Sequence, residues 1–290
     1  MASDELRERI ADQFSYRGTR SDIWRVFDVI LDTDAFLNLG YSRWYQPHFM
    51  GSSQRRLAAH IGQRLINHLP TAEHVRLLDV GCGRGGPTIH LTDRFGFEAI
   101  GIDLVPYNVA LARSNATDRG VEVAFVVADA THLPFESSSV TACVGVDSFV
   151  YLPDRSKVFS EIAEVLEPGG VLVFSDLVVR EDVSDSERRT VSQFADAWDM
   201  PVPGTPNEYE YDLGEASLRV HGVEDLSSHS IHRFPKWTML FGRLSTSPAG
   251  PLLDWALRQM GLDARMITSQ IRYAHAALPA LQHVLFVVEK

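Results

Sequence analysis

Along this 290-residue chain the spacing of apolar positions changes rhythm several times, and the changes mark out elements. Val75, Leu77, Leu78 and Val80 form a nearly continuous apolar run, which predicts a strand buried on both faces of a parallel sheet. Ile89, Leu91 and Phe95 then recur at helical spacing from Pro87 onward. The alternation continues with a strand over Ala99–Ile102, a helix over Tyr107–Arg119 and strands at Glu122–Val127 and Ala142–Val146. A helix at Arg155–Leu166 and a strand at Val171–Ser175 complete it. Strand and helix units of this length predict an α/β fold, a doubly wound parallel sheet with helices on both faces and ligands bound beyond the carboxyl ends of the strands.

The flanks read differently. Residues 4–39 carry apolar positions at three- and four-residue steps (Ile10, Phe14, Ile23, Val26, Phe27, Ile30, Leu31), which predicts an N-terminal helical cap. A helix over Gln54–Leu69 follows, with Leu57, Ile61, Leu65 and Leu69 four residues apart and Ser52 or Ser53 as its cap. Beyond Asp176, Arg180–Arg189 is dense in charge and reads as a solvated helix face. Residues 200–211 are rich in proline and tyrosine and read as a loop over the site. Leu218–His221 reads as the close of a helix and Val223–His232 as a strand. Helices are expected at Trp237–Leu244, Leu252–Met260 and Arg265–Ala277, and a strand from His283 to Glu289. The resulting division is 1–70 for the cap, 71–180 for a nucleotide-binding core, 181–280 for a lid including a sixth strand, and 281–290 for the last strand.

The first strand ends in Asp79-Val80-Gly81-Cys82-Gly83-Arg84-Gly85-Gly86. Glycines there let the chain turn sharply, adopt positive φ and lie against a ligand. Gly81, Gly83 and Gly86 satisfy G-x-G-x-x-G, and Asp103 lies twenty residues beyond Gly83, so a dinucleotide site is allowed. Acidic residues recur at the ends of the later apolar runs: Asp103, Asp129 and Asp147. One carboxylate per strand end favours a neutral or cationic nucleoside over a diphosphate, with Asp79 placed to orient the turn and face an ammonium group.

Leu77–Gly86 resembles the first motif of the class I S-adenosylmethionine-dependent methyltransferases. Ile102-Asp103-Leu104 resembles the second, Ala128-Asp129-Ala130 with Leu133-Pro134-Phe135 the third, and Leu166-Glu167-Pro168-Gly169-Gly170 the turn before the fifth strand. Asn38-Leu39-Gly40-Tyr41 is similar to a segment of the erythromycin- and rebeccamycin-type natural-product O-methyltransferases. The resemblance implies a seven-stranded, mostly parallel Rossmann-like sheet with an antiparallel last strand and an acceptor lid inserted before it. It implies S-adenosylmethionine as cofactor, held by Gly81, Cys82 and Gly83 through the backbone. Asp103 takes the ribose hydroxyls and Asp129 with Ala130 the adenine edge, while Tyr41, Asp79, Leu104, Asn108 and Val146 complete the cofactor site.

Composition narrows the partners. With 27 Lys and Arg against 38 Asp and Glu the net charge is −11, which disfavours binding to nucleic acid. No apolar run approaches the ~20 residues of a membrane span. The charged start lacks a signal-peptide core, so a cytoplasmic protein is expected. Two cysteines, Cys82 and Cys143, without C-x-x-C spacing indicate neither a disulfide framework nor a metal site. The expected partner is a small, partly apolar acceptor, with a homodimer allowed.

For the acceptor, related sugar O-methyltransferases often carry histidines after the fourth strand, but Val146–Pro153 has none. Asp147 is the first candidate for a base, for orienting the acceptor or for stabilising a cation in C-methylation, with contact to the cofactor's amino group alone as the alternative. Asp176 at the tip of strand five is the second. Phe149, Tyr151 and Trp198 are candidates for the acceptor pocket, each with plain core as the alternative. His48, His232 and His275 are candidates to reach the site from lid segments. O-methylation is placed ahead of C-methylation of a prenyl, quinone or polyketide acceptor. The alternatives are a methyltransferase-like cyclase, a non-transferring binder of the cofactor, or an NAD-dependent oxidoreductase.

Overall fold

The computed structural model describes residues 35–290 except 48, 49, 72, 153 and 234, together with Glu8, Asp12 and Phe14. Most of the expected N-terminal cap, including Ile10 and residues 23–31, lies outside the described residues, as does His48.

One seven-stranded sheet organises the rest, in the order β3-β2-β1-β4-β5-β7-β6. Its strands are β1 (Arg76–Val80), β2 (Glu98–Asp103), β3 (Ala124–Val127), β4 (Val140–Val146), β5 (Leu166–Val179), β6 (Arg219–Asp225) and β7 (Leu281–Glu289). The apolar run of β1 sits near the centre, paired in parallel with β2 and β4. Buried on both sides, β1 has no room for polar alternation, which is why its sequence shows none. β7 lies antiparallel to both β5 and β6, as expected for the last strand.

Alternating side chains divide between two faces. On one, Leu78, Cys143, Leu172, Phe174 and Phe286 pack with α4 (Arg155–Val165) and α6 (Pro206–Glu215). On the other, Leu77, Val144, Val173 and Leu285 pack with α1 (Met50–His68) and with Leu91 of α2 (Gly86–Phe95). Leu57, Ile61 and Leu65 of α1 are wholly buried there, so the four-residue spacing marked the face that meets the sheet. α3 (Pro106–Arg119) packs along β3 and β2. Above the strand ends, α5 (Asp185–Ala197), α8 (Gly250–Gln259) and α9 (Ala264–Ala277) enclose a separate apolar cluster, flanked by α7 (Pro235–Ser245).

Two expectations for the lid are corrected. Residues 206–215 form helix α6 on the back of the sheet and do not loop over the site. Pro206 occupies the first turn, where its missing N–H is harmless, and Thr205 with Glu208 completes a capping box. Residues 219–225 are the edge strand β6, so Leu218–His221 does not close a helix and the strand ends before His232. A register shift at His221 and the exposure of the strand erase the alternation that would have marked it.

Candidate functional site

The turn after β1 is built by the hydrogen bonds of Gly81 and Cys82 N–H to the Ile102 carbonyl, at 2.9 and 2.8 Å. Gly81 has φ +76°, and a Cβ there would come within 2.6 Å of Ser148 Cβ, so only glycine lets the β1 and β4 turns approach this closely. The Ser148 hydroxyl in turn donates to the Val80 carbonyl at 2.6 Å. Between these turns and the tip of β2 opens a cleft of about 1020 Å³, counting its mouth.

Most of the residues expected at the cofactor site are brought together on its walls. Gly81, Cys82, Gly83, Asp103, Leu104, Asn108, Asp129, Ala130 and Val146 all line it. Asp103 Oδ2 accepts the Gly83 N–H at 2.9 Å, and Oδ1 accepts from Val105 N–H at 2.8 Å and Asn108 Nδ2 at 3.2 Å. Burial raises the pKa of Asp103, and these three bonds pull it back only in part. Leu104 beside it is 39% exposed, an apolar surface on the cleft wall. Asp129 Oδ1 accepts from Thr131 N–H and Oγ1 at 2.9 and 2.8 Å. The Cys82 thiol is buried, and desolvation pushes its pKa well up, which marks it as packing and not as a nucleophile.

Two cofactor assignments are corrected. Tyr41 does not cover the cleft: its ring stacks on His60 at 4.8 Å, held against α1. Leu37 and Asn38, a few residues earlier, line the cleft instead. Asp79 is not on the cleft wall either. It is buried beneath the turn, where Oδ2 accepts the Thr88 hydroxyl at 2.6 Å and so ties β1 to the start of α2. Desolvation pushes its carboxyl up to about 7, against the Thr88 hydrogen bond and with help from Asp103.

A second cavity of about 770 Å³, counting its mouth, adjoins the first, and Asn38, Asp147 and Tyr151 line both. Its other walls include Leu39, Leu177, Phe194, Trp198, Met200 and Leu278. Among the described residues that line it, Asp147 is the one charged side chain. Trp198 is set by its Nε1–H, which donates to the Gln270 carbonyl at 3.2 Å. Of the three candidates for the acceptor pocket, Tyr151 and Trp198 line this cavity and Phe149 does not. Its ring is wholly buried among Phe159 and Phe174, on the α4 side of the sheet.

Asp147 stands at the junction of the two cavities, whereas Asp176 is turned away. Asp176 is fully buried on the α4–α6 face, where Oδ2 accepts the Tyr209 hydroxyl at 2.6 Å. Desolvation pushes it up to about 8, against the Tyr209 bond. Successive strand residues face opposite sides, so Ser175 and Asp176 cannot both face Asp147, and Ser175 is the one that does. Its hydroxyl donates to Asp147 Oδ1 at 2.5 Å. His232 is exposed and His275 pairs with Thr238, and neither lines the two cavities.

His283 of β7 is not among the residues expected at the site, yet its Nε2 lies 2.8 Å from Asp147 Oδ1. It follows Gln282 and precedes the apolar run Val284–Val288, and its meaning depends on β7 lying beside β5. Among the described residues no group of three or more His, Cys, Asp or Glu is placed to hold a metal ion, and no helix is long and apolar enough to cross a membrane.

The residues present fit a nucleoside bearing a cationic amino-acid arm. Side-chain-free wall at Gly81 and Gly83 admits close approach, and Asp103 offers its carboxylate to hydroxyls. Asn38 Oδ1 and Asn108 Oδ1 are buried without a hydrogen-bond partner, acceptors that a polar ligand with bound water can satisfy. Comparison with known proteins agrees. A family described as "Methyltransferase domain" matches residues 78–174. Methyltransferase GfsG of Streptomyces halstedii is 31% identical over 159 residues, which span 54% of this chain and 57% of that protein. The 27-O-demethylrifamycin SV methyltransferase of Amycolatopsis mediterranei (strain S699) is 27% identical over 282 residues, 94% of this chain and 98% of that one. The solved structure of a geranyl diphosphate methyltransferase in complex with GPP and sinefungin superposes with a TM-score of 0.73 at 20% identity, covering 98% of this chain and 99% of that chain. At such identity the likeness is one of fold.

Proposed function

We propose that this chain, which belongs to the class I S-adenosylmethionine-dependent methyltransferases, methylates a hydroxyl group on a small, largely apolar natural product. The observation that carries this reading is the place of Asp147, the one charged residue among those described on the wall of the acceptor cavity and a residue of the cofactor cleft as well.

In this reading Asp103 and Asn108 hold the ribose, while Leu104, Asp129 and Ala130 meet the adenine. The turn at Gly81–Gly83 lies against the amino-acid arm. When bound, S-adenosylmethionine supplies a methyl carbon whose bond to sulfur breaks as the bond to the acceptor oxygen forms, leaving a neutral thioether. The chain's contribution is alignment in a dry pocket and removal of one proton. Asp147 takes the proton that the acceptor hydroxyl loses. Tyr151, Trp198 and Leu177 hold the apolar body of the acceptor and exclude water.

The cavity also selects against anions. A phosphate or carboxylate entering it meets the Asp147 carboxylate and, among the described lining residues, no cation. A neutral hydroxylated polyketide is therefore favoured over a prenyl diphosphate. Incubation with methyl-labelled S-adenosylmethionine and a panel of hydroxylated polyketides, with geranyl diphosphate as comparator, tests this. Label on a polyketide oxygen is the expected result. Label on geranyl diphosphate overturns the acceptor class, and calorimetric binding of S-adenosylhomocysteine with no transfer to any acceptor favours a cyclase-like role.

A further inference from the structure

Asp147 is held more firmly than a surface carboxylate at a strand end. It has φ +56°, a region that non-glycine residues enter sparingly, and its own N–H donates to the Ser175 carbonyl at 3.0 Å. Oδ1 accepts from Ser175 Oγ at 2.5 Å and from His283 Nε2 at 2.8 Å, and Oδ2 accepts from Leu39 N–H at 2.6 Å. Each carboxylate oxygen has two lone-pair sites. Oδ1 is therefore saturated, and Oδ2 keeps one site for a group at the junction of the cavities.

His283 has no exposed surface and cannot touch an acceptor. Its Nδ1 lies 2.7 Å from the Ser230 hydroxyl, and its backbone N–H donates to Ser227 Oγ at 3.0 Å. The Ser230 hydroxyl donates its proton to the Leu226 carbonyl at 3.1 Å, and because an ionised carboxylate only accepts, the contact between His283 Nε2 and Asp147 Oδ1 is an Nε2–H donation. A buried base oriented by a third group is the general logic by which a proton acceptor is fixed in place.

We propose that His283 is a positioning residue for methyl transfer: anchored by Ser227 and Ser230, it holds Oδ1 of Asp147 so that the open lone pair of Oδ2 faces the acceptor hydroxyl. Without this donor the carboxylate keeps only Ser175 and Leu39 as partners, and the lone pair opened on Oδ1 competes with that of Oδ2 for the proton of the acceptor. The inference rests on Asp147 being the proton acceptor, as in the function proposed above.

The test uses the full chain with the variants H283Q and H283L. Gln can donate from its side-chain amide to Asp147, whereas Leu cannot. H283L is expected to lower kcat about tenfold or more, with KM for S-adenosylmethionine and the calorimetric affinity for S-adenosylhomocysteine unchanged, and H283Q to recover most of the loss. Wild-type kcat in H283L, or equal loss in both variants with binding intact, overturns the proposal. A second readout needs no acceptor: a downfield proton signal from His283 Nε2–H, slow to exchange with water, is expected in the wild type and absent in D147A. Its absence from the wild type, or its persistence in D147A, also overturns the proposal. Should the wild type bind S-adenosylhomocysteine yet methylate nothing, the functional reading fails by itself and the proton signal still decides whether His283 holds Asp147.

Discussion

The carboxylate of Asp103 and the backbone N–H of Gly83 meet at 2.9 Å, which ties the tip of β2 to the glycine turn after β1. In the proposed site one side chain therefore serves two purposes, offering an acceptor to the cofactor and fixing the turn against which the cofactor is proposed to lie.

Replacing it removes both. Asp103→Ala is expected to weaken S-adenosylhomocysteine binding by a factor of about ten to a hundred, the equivalent of one charge-assisted hydrogen bond. Isothermal calorimetry measures this directly, and an affinity equal to wild type refutes the assignment of Asp103 to the cofactor.

Gly81→Ala puts a methyl group where Ser148 Cβ stands 2.6 Å away and holds alanine at φ +76°. A loss of about 1–3 kcal/mol is expected from the backbone strain alone, with displacement of the β4 turn added. Urea denaturation reads the stability and calorimetry the cofactor affinity, and both are expected to fall.

Asp176 gives the stability a pH dependence of predictable sign. Its carboxyl is raised to about 8 in the folded chain by desolvation, while the unfolded value is near 3.9. Its contribution is present in full below about pH 4 and is lost as pH rises to about 8, because the unfolded chain releases a proton that the folded chain retains. Asp176→Asn keeps partners for Tyr209 and Leu177 N–H but cannot ionise. Its Tm is expected to fall less between pH 5 and pH 8 than that of the wild type, with a residual slope from Asp79, which is raised to about 7. Parallel Tm curves for the two proteins refute this.

Trp198→Phe shortens a wall of the acceptor cavity and removes the hydrogen bond to the Gln270 carbonyl. The expected result is a higher KM for the acceptor with S-adenosylhomocysteine affinity unchanged, since Trp198 does not line the cofactor cleft. Equal changes in both affinities place Trp198 in the common framework instead of the acceptor site.

The central strands were legible because burial on both faces leaves a continuous apolar run, as in β1, and because each is followed by turn residues. The cofactor cleft was legible for a related reason: its residues sit at strand tips next to those runs. Reading failed where meaning depends on a neighbour distant in sequence. Tyr41, Phe149 and Asp176 are each one or a few residues from positions that do line a cavity, and only the twist of a turn or the parity of a strand decides which side chain faces it. Pro206 misled because proline breaks a helix interior yet suits a first turn, and Thr205 three residues before Glu208 was the available sign. His283 could not be read at all from its own surroundings, since its partner Asp147 lies 136 positions away.

The two cavities differ in where along the chain their walls are encoded. Every described residue bordering the proposed cofactor cleft precedes Pro153, while the proposed acceptor cavity has most of its described lining residues between Leu177 and Leu281. In the proposed function, genetic exchange downstream of β5 can therefore remodel what is methylated while leaving the proposed berth of the methyl donor untouched, provided that a histidine is kept opposite Asp147. The same layout offers a route to engineering: segments grafted from relatives in that region carry new selectivity onto an unaltered donor platform.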